Sequence, residues 1–335
     1  MAVITSTNTL VLLLSIVLYS ILNINQPNAY DNPLISNYAR QGSYYNYYGR
    51  SIYTYNTASI DPDALNKPKL LLLHGYPTSS IDWYHMIHSH LIKQWHCITY
   101  DYIGYGLSDK SLPYNTSIYT QADVAESLLM SLDIKTVHLL THDVGNTVAQ
   151  ELLGRQLDST SHISIKSVVL LNGGLFPEQH RATIAQRLLL TPYIGDIIQL
   201  LPRTLAGNAL NHVFGAHSKL STDELELYTT LLYHNAQLGL LHQLQQYIVE
   251  RRNNRERWVT AIQNITKTNN IPLRLINGPA DPVSGRHMAE YYQQIIESAD
   301  VIILNDTIGH YPQLEDEHGV LHAFQQFHHD IGTKL

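Results

Sequence analysis

The stretch Leu139-Leu140-Thr141-His142-Asp143-Val144-Gly145-Asn146-Thr147-Val148-Ala149 decides how this chain is read. An apolar run enters a tight turn flanked by small residues, and a helical pattern starts at once. That geometry lifts the residue at the apex above the end of a strand, which is the form of a nucleophile elbow. In the common G-x-S-x-G version the apex is serine and the intermediate an acyl-enzyme. Here the apex is Asp143. A carboxylate attacking a strained or activated carbon gives an alkyl-enzyme ester instead. The plainer alternative is that Asp143 caps the following helix, since aspartate is a favoured N-cap residue.

Outward from this turn, short apolar runs alternate with amphipathic stretches. Gly42–Tyr48 and Ser51–Thr57, separated by Gly49-Arg50, predict an opening hairpin. Buried strands are predicted at Lys69–Leu73, His96–Tyr100, Thr136–Leu140, Ile165–Leu171, Leu273–Ile276 and Val301–Leu304, with helices such as Ile118–Leu132 and Asn146–Arg155 between them. The alternation predicts an α/β protein with a mostly parallel, eight-stranded sheet flanked by helices. Between Leu171 and Leu273 no strand pattern occurs. Helical segments fill the interval, one opened by the capping box Ser221-x-x-Glu224, so a helical lid is expected after the sixth strand. The resulting division is 1–30 as a hydrophobic anchor or signal segment, 38–175 and 266–335 as the two parts of the core, and 176–265 as the lid. The run Arg251-Arg252-Asn253-Asn254-Arg255-Glu256-Arg257 predicts a solvated helix face.

Composition narrows the function. Lys and Arg number 21 against 28 Asp and Glu, which argues against a nucleic-acid partner. The one cysteine, Cys97, can form neither an internal disulfide nor a multi-cysteine metal site, and no metal or cofactor is expected. The first thirty residues carry no charge and include LVLLLSIVLYSIL at 10–22. About 20 apolar residues cross a bilayer, so a single-pass anchor is expected, with a cleaved signal peptide as the alternative.

Two further sites join Asp143. Asp281 stands in the turn after a predicted late strand, in Ile276-Asn277-Gly278-Pro279-Ala280-Asp281-Pro282-Val283, and His310 in the loop after the last one. Nucleophile, acid and base then follow in the order this architecture requires. His310 would take a proton from the water that hydrolyses the ester, and Asp281 would orient and stabilise the imidazolium. After Leu73, the loop His74-Gly75-Tyr76-Pro77 can bring the Tyr76 backbone amide to an oxyanion, the Val144 amide being the other half of the hole. For His74 the reading is structural, bonding the loop backbone.

These residues resemble the α/β-hydrolase fold in its epoxide hydrolase and haloalkane dehalogenase branch. The resemblance rests on HGYP (74–77), DYIGYGLSDK (101–110), HDVG (142–145) and GHYPQLED (309–316). More narrowly, HGYPTSSIDWY (74–84), VAQELL (148–153), LNGGLFPEQHR (171–181), GPADPV (278–283) and HYPQLED (310–316) resemble the membrane-associated mesoderm-specific transcript family within that branch. The resemblance implies catalytic roles for Asp143, Asp281 and His310 and a location in the endoplasmic reticulum membrane. The alternative location is secreted or lumenal, after signal cleavage. Epoxide hydrolases protonate the departing oxygen with two lid tyrosines. Among Tyr193, Tyr228, Tyr233 and Tyr247, the candidates named are Tyr247 first and Tyr233 second. Dehalogenases hold halide with a tryptophan after the nucleophile, and here that residue is Val144. The expected activity is epoxide opening on a small hydrophobic or lipid-like substrate. The alternatives are a lipid acyl ester hydrolase or acyltransferase, disfavoured because carboxylate attack on an ester gives a mixed anhydride, and a non-catalytic membrane protein that binds a lipid or partner.

Overall fold

A computed structural model describes residues 27–113, 115–268 and 271–333. Most of the expected anchor, residues 1–26, lies outside the described residues, and among those described no helix is long and apolar enough to cross a membrane. The described chain starts against the lid. The Ala29 amide donates to His234 Nδ1 at 3.2 Å.

Eight strands form one sheet: β1 (Ser43–Tyr47), β2 (Arg50–Asn56), β3 (Lys69–Leu73), β4 (His96–Tyr100), β5 (Thr136–Thr141), β6 (Ser164–Leu170), β7 (Leu273–Asn277) and β8 (Asp300–Ile303). Their order is β1-β2-β4-β3-β5-β6-β7-β8. The hairpin strand β2 pairs antiparallel with β1 and β4, and every other pairing is parallel. In β3, Leu70 and Leu72 enter one apolar cluster while Leu71 and Leu73 enter the other. Successive side chains point to opposite faces, so an uninterrupted apolar run signals a strand covered on both sides.

Parallel pairing has a functional consequence. The loops that leave β3, β5, β6, β7 and β8 all emerge at one edge of the sheet, where open α/β sheets place their ligands. Among the described residues, seven helices run between β6 and β7: Ile184–Leu190, Ile194–Ile198, Arg203–His212, Thr222–Tyr233, Leu240–Leu244, Tyr247–Asn253 and Arg255–Thr268. Ser221 and Glu224 form the reciprocal capping box at the start of the fourth. The last of the seven packs along the helix Val144–Leu157, with Trp258 Nε1 donating to Glu151 Oε2 at 2.9 Å.

Candidate active site

Asp143 sits between β5 and the helix Val144–Leu157 with φ 46° and ψ −105°. A non-glycine residue at positive φ is strained, and such strain collects at functional sites. Its neighbours make the turn feasible. A Cβ on Gly145 would lie 2.4 Å from the Leu73 carbonyl oxygen, and one on Gly173 would lie 2.8 Å from the Asp143 Cα. The Asp143 amide donates to the Asn172 carbonyl at 2.8 Å, tying the elbow to the end of β6. The Asp143 side chain makes no capping bond to its helix, which removes the plainer alternative.

Instead the carboxylate is held from two sides. Its Oδ2 accepts from the Tyr76 amide at 3.1 Å, in the loop after β3 whose Tyr76–Pro77 peptide is cis. Val144 opens the following helix, so its amide is one of the first-turn donors without an intrahelical acceptor. Asp143 Oδ1 faces Arg251, whose Nη2 lies 3.3 Å away and also donates to the Asp143 carbonyl at 3.0 Å. Arg251 Nε donates to Thr147 Oγ1 at 2.7 Å, and its Cζ stands 4.6 Å from the centre of the Tyr247 ring. The expected solvated face is therefore corrected at this position. Arg251 is 2 % exposed and salt-bridged to Asp143. The signal was present, since Leu244, Tyr247, Ile248 and Arg251 fall at the three- and four-residue spacing of a buried stripe.

His310 and Asp281 complete the group. His310 Nδ1 is 2.7 Å from Asp281 Oδ2, and its Nε2 is 4.0 Å from Asp143 Oδ2, beyond direct hydrogen bonding. Asp281 also accepts from Val283 N at 2.7 Å, Ser284 Oγ at 2.7 Å and Asn172 Nδ2 at 3.0 Å. Glu315 accepts from the amides of Gly309 at 2.8 Å and Tyr311 at 2.9 Å, which fixes the loop carrying His310. The sequence alone marks neither Asn172 nor Glu315: they lie inside the LNGGLFPEQHR and GHYPQLED segments, but no local pattern distinguishes a buried support residue. His74 bonds the loop backbone as expected: its Nε2 accepts from the Tyr102 amide at 3.1 Å.

The electrostatics follow from burial and pairing. Burial alone would raise the Asp143 pKa, but the charges of Arg251 and His310 and the Tyr76 amide hold it below the usual carboxylate range. Burial alone would lower that of His310. The Asp281 carboxylate, its hydrogen bond and the charges of Asp143 and Glu315 overcome this and carry it to about 9. Asp281 is driven strongly down despite its burial, chiefly by His310. His142 behaves oppositely, burial and the nearby His310 charge lowering it to about 3. His142 is therefore neutral, with Nε2 against the His310 carbonyl at 2.8 Å.

Asp143 and His310 line a cavity of about 210 Å³ that also carries Tyr76, Tyr233 and Gln245, and its remaining wall is mainly apolar. Of the lid tyrosines, Tyr233 lines this space. Tyr247 does not. Its hydroxyl accepts from Gln186 Nε2 at 3.2 Å and its ring covers Arg251. Tyr193 is 82 % exposed, and Tyr228 is buried away from the cavity. No group of His, Cys, Asp and Glu suited to a metal ion occurs among the described residues.

Residues 68–317 match the alpha/beta hydrolase fold family. The chain belongs to the α/β-hydrolase family. It is 35 % identical over 307 residues to the mesoderm-specific transcript homolog protein of Homo sapiens, covering 88 % of each chain. It is 33 % identical over 249 residues to the putative hydrolase LipZ of Mycobacterium tuberculosis, covering 74 % of this chain and 84 % of the other. The fold is similar to the haloalkane dehalogenase DbeA from Bradyrhizobium elkani, with a TM-score of 0.70 at 22 % identity over 87 % of this chain and 98 % of that one. The eight-stranded sheet of this α/β-hydrolase and its resemblance to the mesoderm-specific transcript proteins agree with the sequence reading.

Proposed function

We propose that this α/β-hydrolase opens an epoxide on a hydrophobic, lipid-like substrate through an alkyl-enzyme ester on Asp143. One observation carries the reading: a carboxylate, not a hydroxyl, occupies the strained apex, with the Tyr76 amide on one oxygen and His310, held from behind by Asp281, facing it in the same cavity. Asp143 attacks a ring carbon, and the ring carbon–oxygen bond breaks with its electron pair on oxygen. Water then attacks the ester carbonyl. His310 accepts the water proton, and the Tyr76 amide receives the oxyanion.

The timing of the base follows from charge. In the free site His310 is protonated below about pH 9, and Asp143 is one of the charges that keep it so. Esterification removes that charge and lowers the His310 pKa when a base is needed. The mouth supports a lipid-like substrate: Leu188, Leu201 and Leu205 line the cavity and are 44 %, 43 % and 52 % exposed. Together with the apolar start of the chain, they favour work at a membrane, and the resemblance to the mesoderm-specific transcript family makes the endoplasmic reticulum the proposed one.

The test is turnover of decene oxide in heavy-oxygen water, followed by mass spectrometry of the peptide containing Asp143. Heavy oxygen accumulates in Asp143 over repeated turnovers if the ester forms, and an active preparation without label sinks the reading. The contact of Arg251 with the carboxylate favours a second reading, a lipid- or partner-binding protein without turnover. Unchanged biological output from Asp143→Asn, at normal expression, selects it.

A further inference from the structure

Gln245 stands between the lid helices Leu240–Leu244 and Tyr247–Asn253, is 0 % exposed, and lines the cavity that holds Asp143. Neither its Oε1 nor its Nε2 has a hydrogen-bond partner. A buried amide without partners costs stability that a leucine of similar size would not. The wall of this cavity is largely apolar, with Leu189, Leu232 and Leu241 among its residues, an environment suited to a leucine. A polar group held unpaired where an apolar one fits is explained by a ligand that pairs it.

Two hydroxyls share this corner. Burial raises the Tyr76 hydroxyl pKa. The Gln245 amide, near it but outside hydrogen-bond geometry, works against that rise, and the Tyr233 hydroxyl adds to it. Burial carries Tyr233 itself up to about 12, so it keeps its proton at neutral pH. Tyr233 and Gln245 are lid side chains that line the same cavity as the carboxylate.

Resting on the alkyl-ester reading, we propose that Gln245 is the lid group that binds the substrate's departing oxygen, its Nε2 donating as the ring opens while Tyr233 supplies the proton. The substrate class is then an apolar chain bearing a strained cyclic ether. An alkyl halide would have no use for the proton donor. The balance closes. Asp143 forms a carbon–oxygen bond, the ring bond breaks, and the released oxygen takes the Tyr233 proton, leaving a hydroxyalkyl ester and a tyrosinate. The proton on resting His310 restores Tyr233 and leaves the imidazole free to act as base. Water then gives one proton to His310, which passes it to the expelled diol oxygen. The second water proton leaves the Asp143 carboxyl and returns His310 to its protonated resting form. Epoxide and water become diol.

Rapid-quench single turnover of decene oxide by the full chain in detergent, followed by mass spectrometry of the Asp143 peptide, separates ester formation from ester decay. Gln245→Leu is expected to melt at or above the wild-type temperature, to form ester about 100-fold more slowly, and to hydrolyse it at the wild-type rate. Tyr233→Phe is expected to slow the same half-reaction. Ester formed by Gln245→Leu at the wild-type rate overturns the proposal while leaving Asp143 as nucleophile. Lost folding, or equal slowing of both halves, overturns it by making Gln245 structural. Absence of ester in the wild type overturns the nucleophile reading and this inference with it.

Discussion

Replacing Arg251 by methionine removes a buried cation whose partner cannot leave. Two cations, Arg251 and protonated His310, face the carboxylates Asp143 and Asp281, and all four side chains are nearly buried. Arg251→Met keeps much of the side-chain volume but leaves this group with one uncompensated negative charge. Removing one member of a buried pair costs about 3–5 kcal/mol. The hydrogen bond to Thr147 and the contact with the Tyr247 ring are lost as well. Because Asp143 is held below the usual carboxylate range, its stabilising contribution is present above its unfolded pKa and is lost as pH falls through the folded value. The gap between wild type and variant should therefore be widest near neutral pH and narrow in acid. Urea unfolding of the full chain at several pH values measures this, and a cycle with Asp143→Asn isolates the pair. The double variant should recover most of the loss, since a neutral amide has no need of the guanidinium. A coupling energy near zero, or a gap that does not change with pH, refutes the reasoning.

Asp143→Asn should fold and yield no covalent adduct with decene oxide by mass spectrometry; an adduct elsewhere would move the nucleophile. For His310, whose folded pKa is raised to about 9, the stabilising contribution is complete below its ordinary value of 6.5 and is lost as pH rises through about 9. Melting temperatures should show wild type losing its advantage over His310→Gln across that alkaline interval, and a constant difference counts against the assignment. Gly145→Ala would place a methyl 2.4 Å from the Leu73 carbonyl oxygen, so the backbone must shift, and roughly 1–3 kcal/mol of stability should go with most of the activity. Replacing Leu188 and Leu205 at the mouth by serine should lower kcat/KM for decene oxide more than for propene oxide; equal effects would detach the apolar rim from substrate binding.

What the sequence made legible depended on whether a residue's task was local. The parallel strands appear as uninterrupted apolar runs because they are covered on both faces, and Lys69–Leu73 and His96–Tyr100 coincide with their predicted limits. Asp143, Asp281 and His310 could be placed because each follows a strand whose end lies at the same edge of the sheet. Arg251 could not be placed in this way. Its partner is 108 residues away, and its local surroundings of Arg and Asn imitate a wet surface. The lid tyrosines were equally opaque. Which of them faces the cavity depends on how short helices stack over the sheet, and that stacking sets Tyr233 against the cavity and turns Tyr247 toward Gln186.

The presence of an arginine on the proposed nucleophile bears on what that nucleophile can attack. A carboxylate bonded to a guanidinium and a backbone amide is less basic than a free one, and attack by either oxygen gives up one of those bonds. Such a group needs an electrophile whose bond is already weakened, which favours a strained ring over an unactivated ester. The same cation assists the hydrolysis that follows. Once Asp143 is esterified, one of the negative charges that hold the His310 proton is gone, and only Asp281 and Glu315 among those named remain to hold it. The His310 proton is then released more readily. Hydrolysis then returns Asp143 as an anion to a waiting Arg251, so the interaction that restrains attack also favours release.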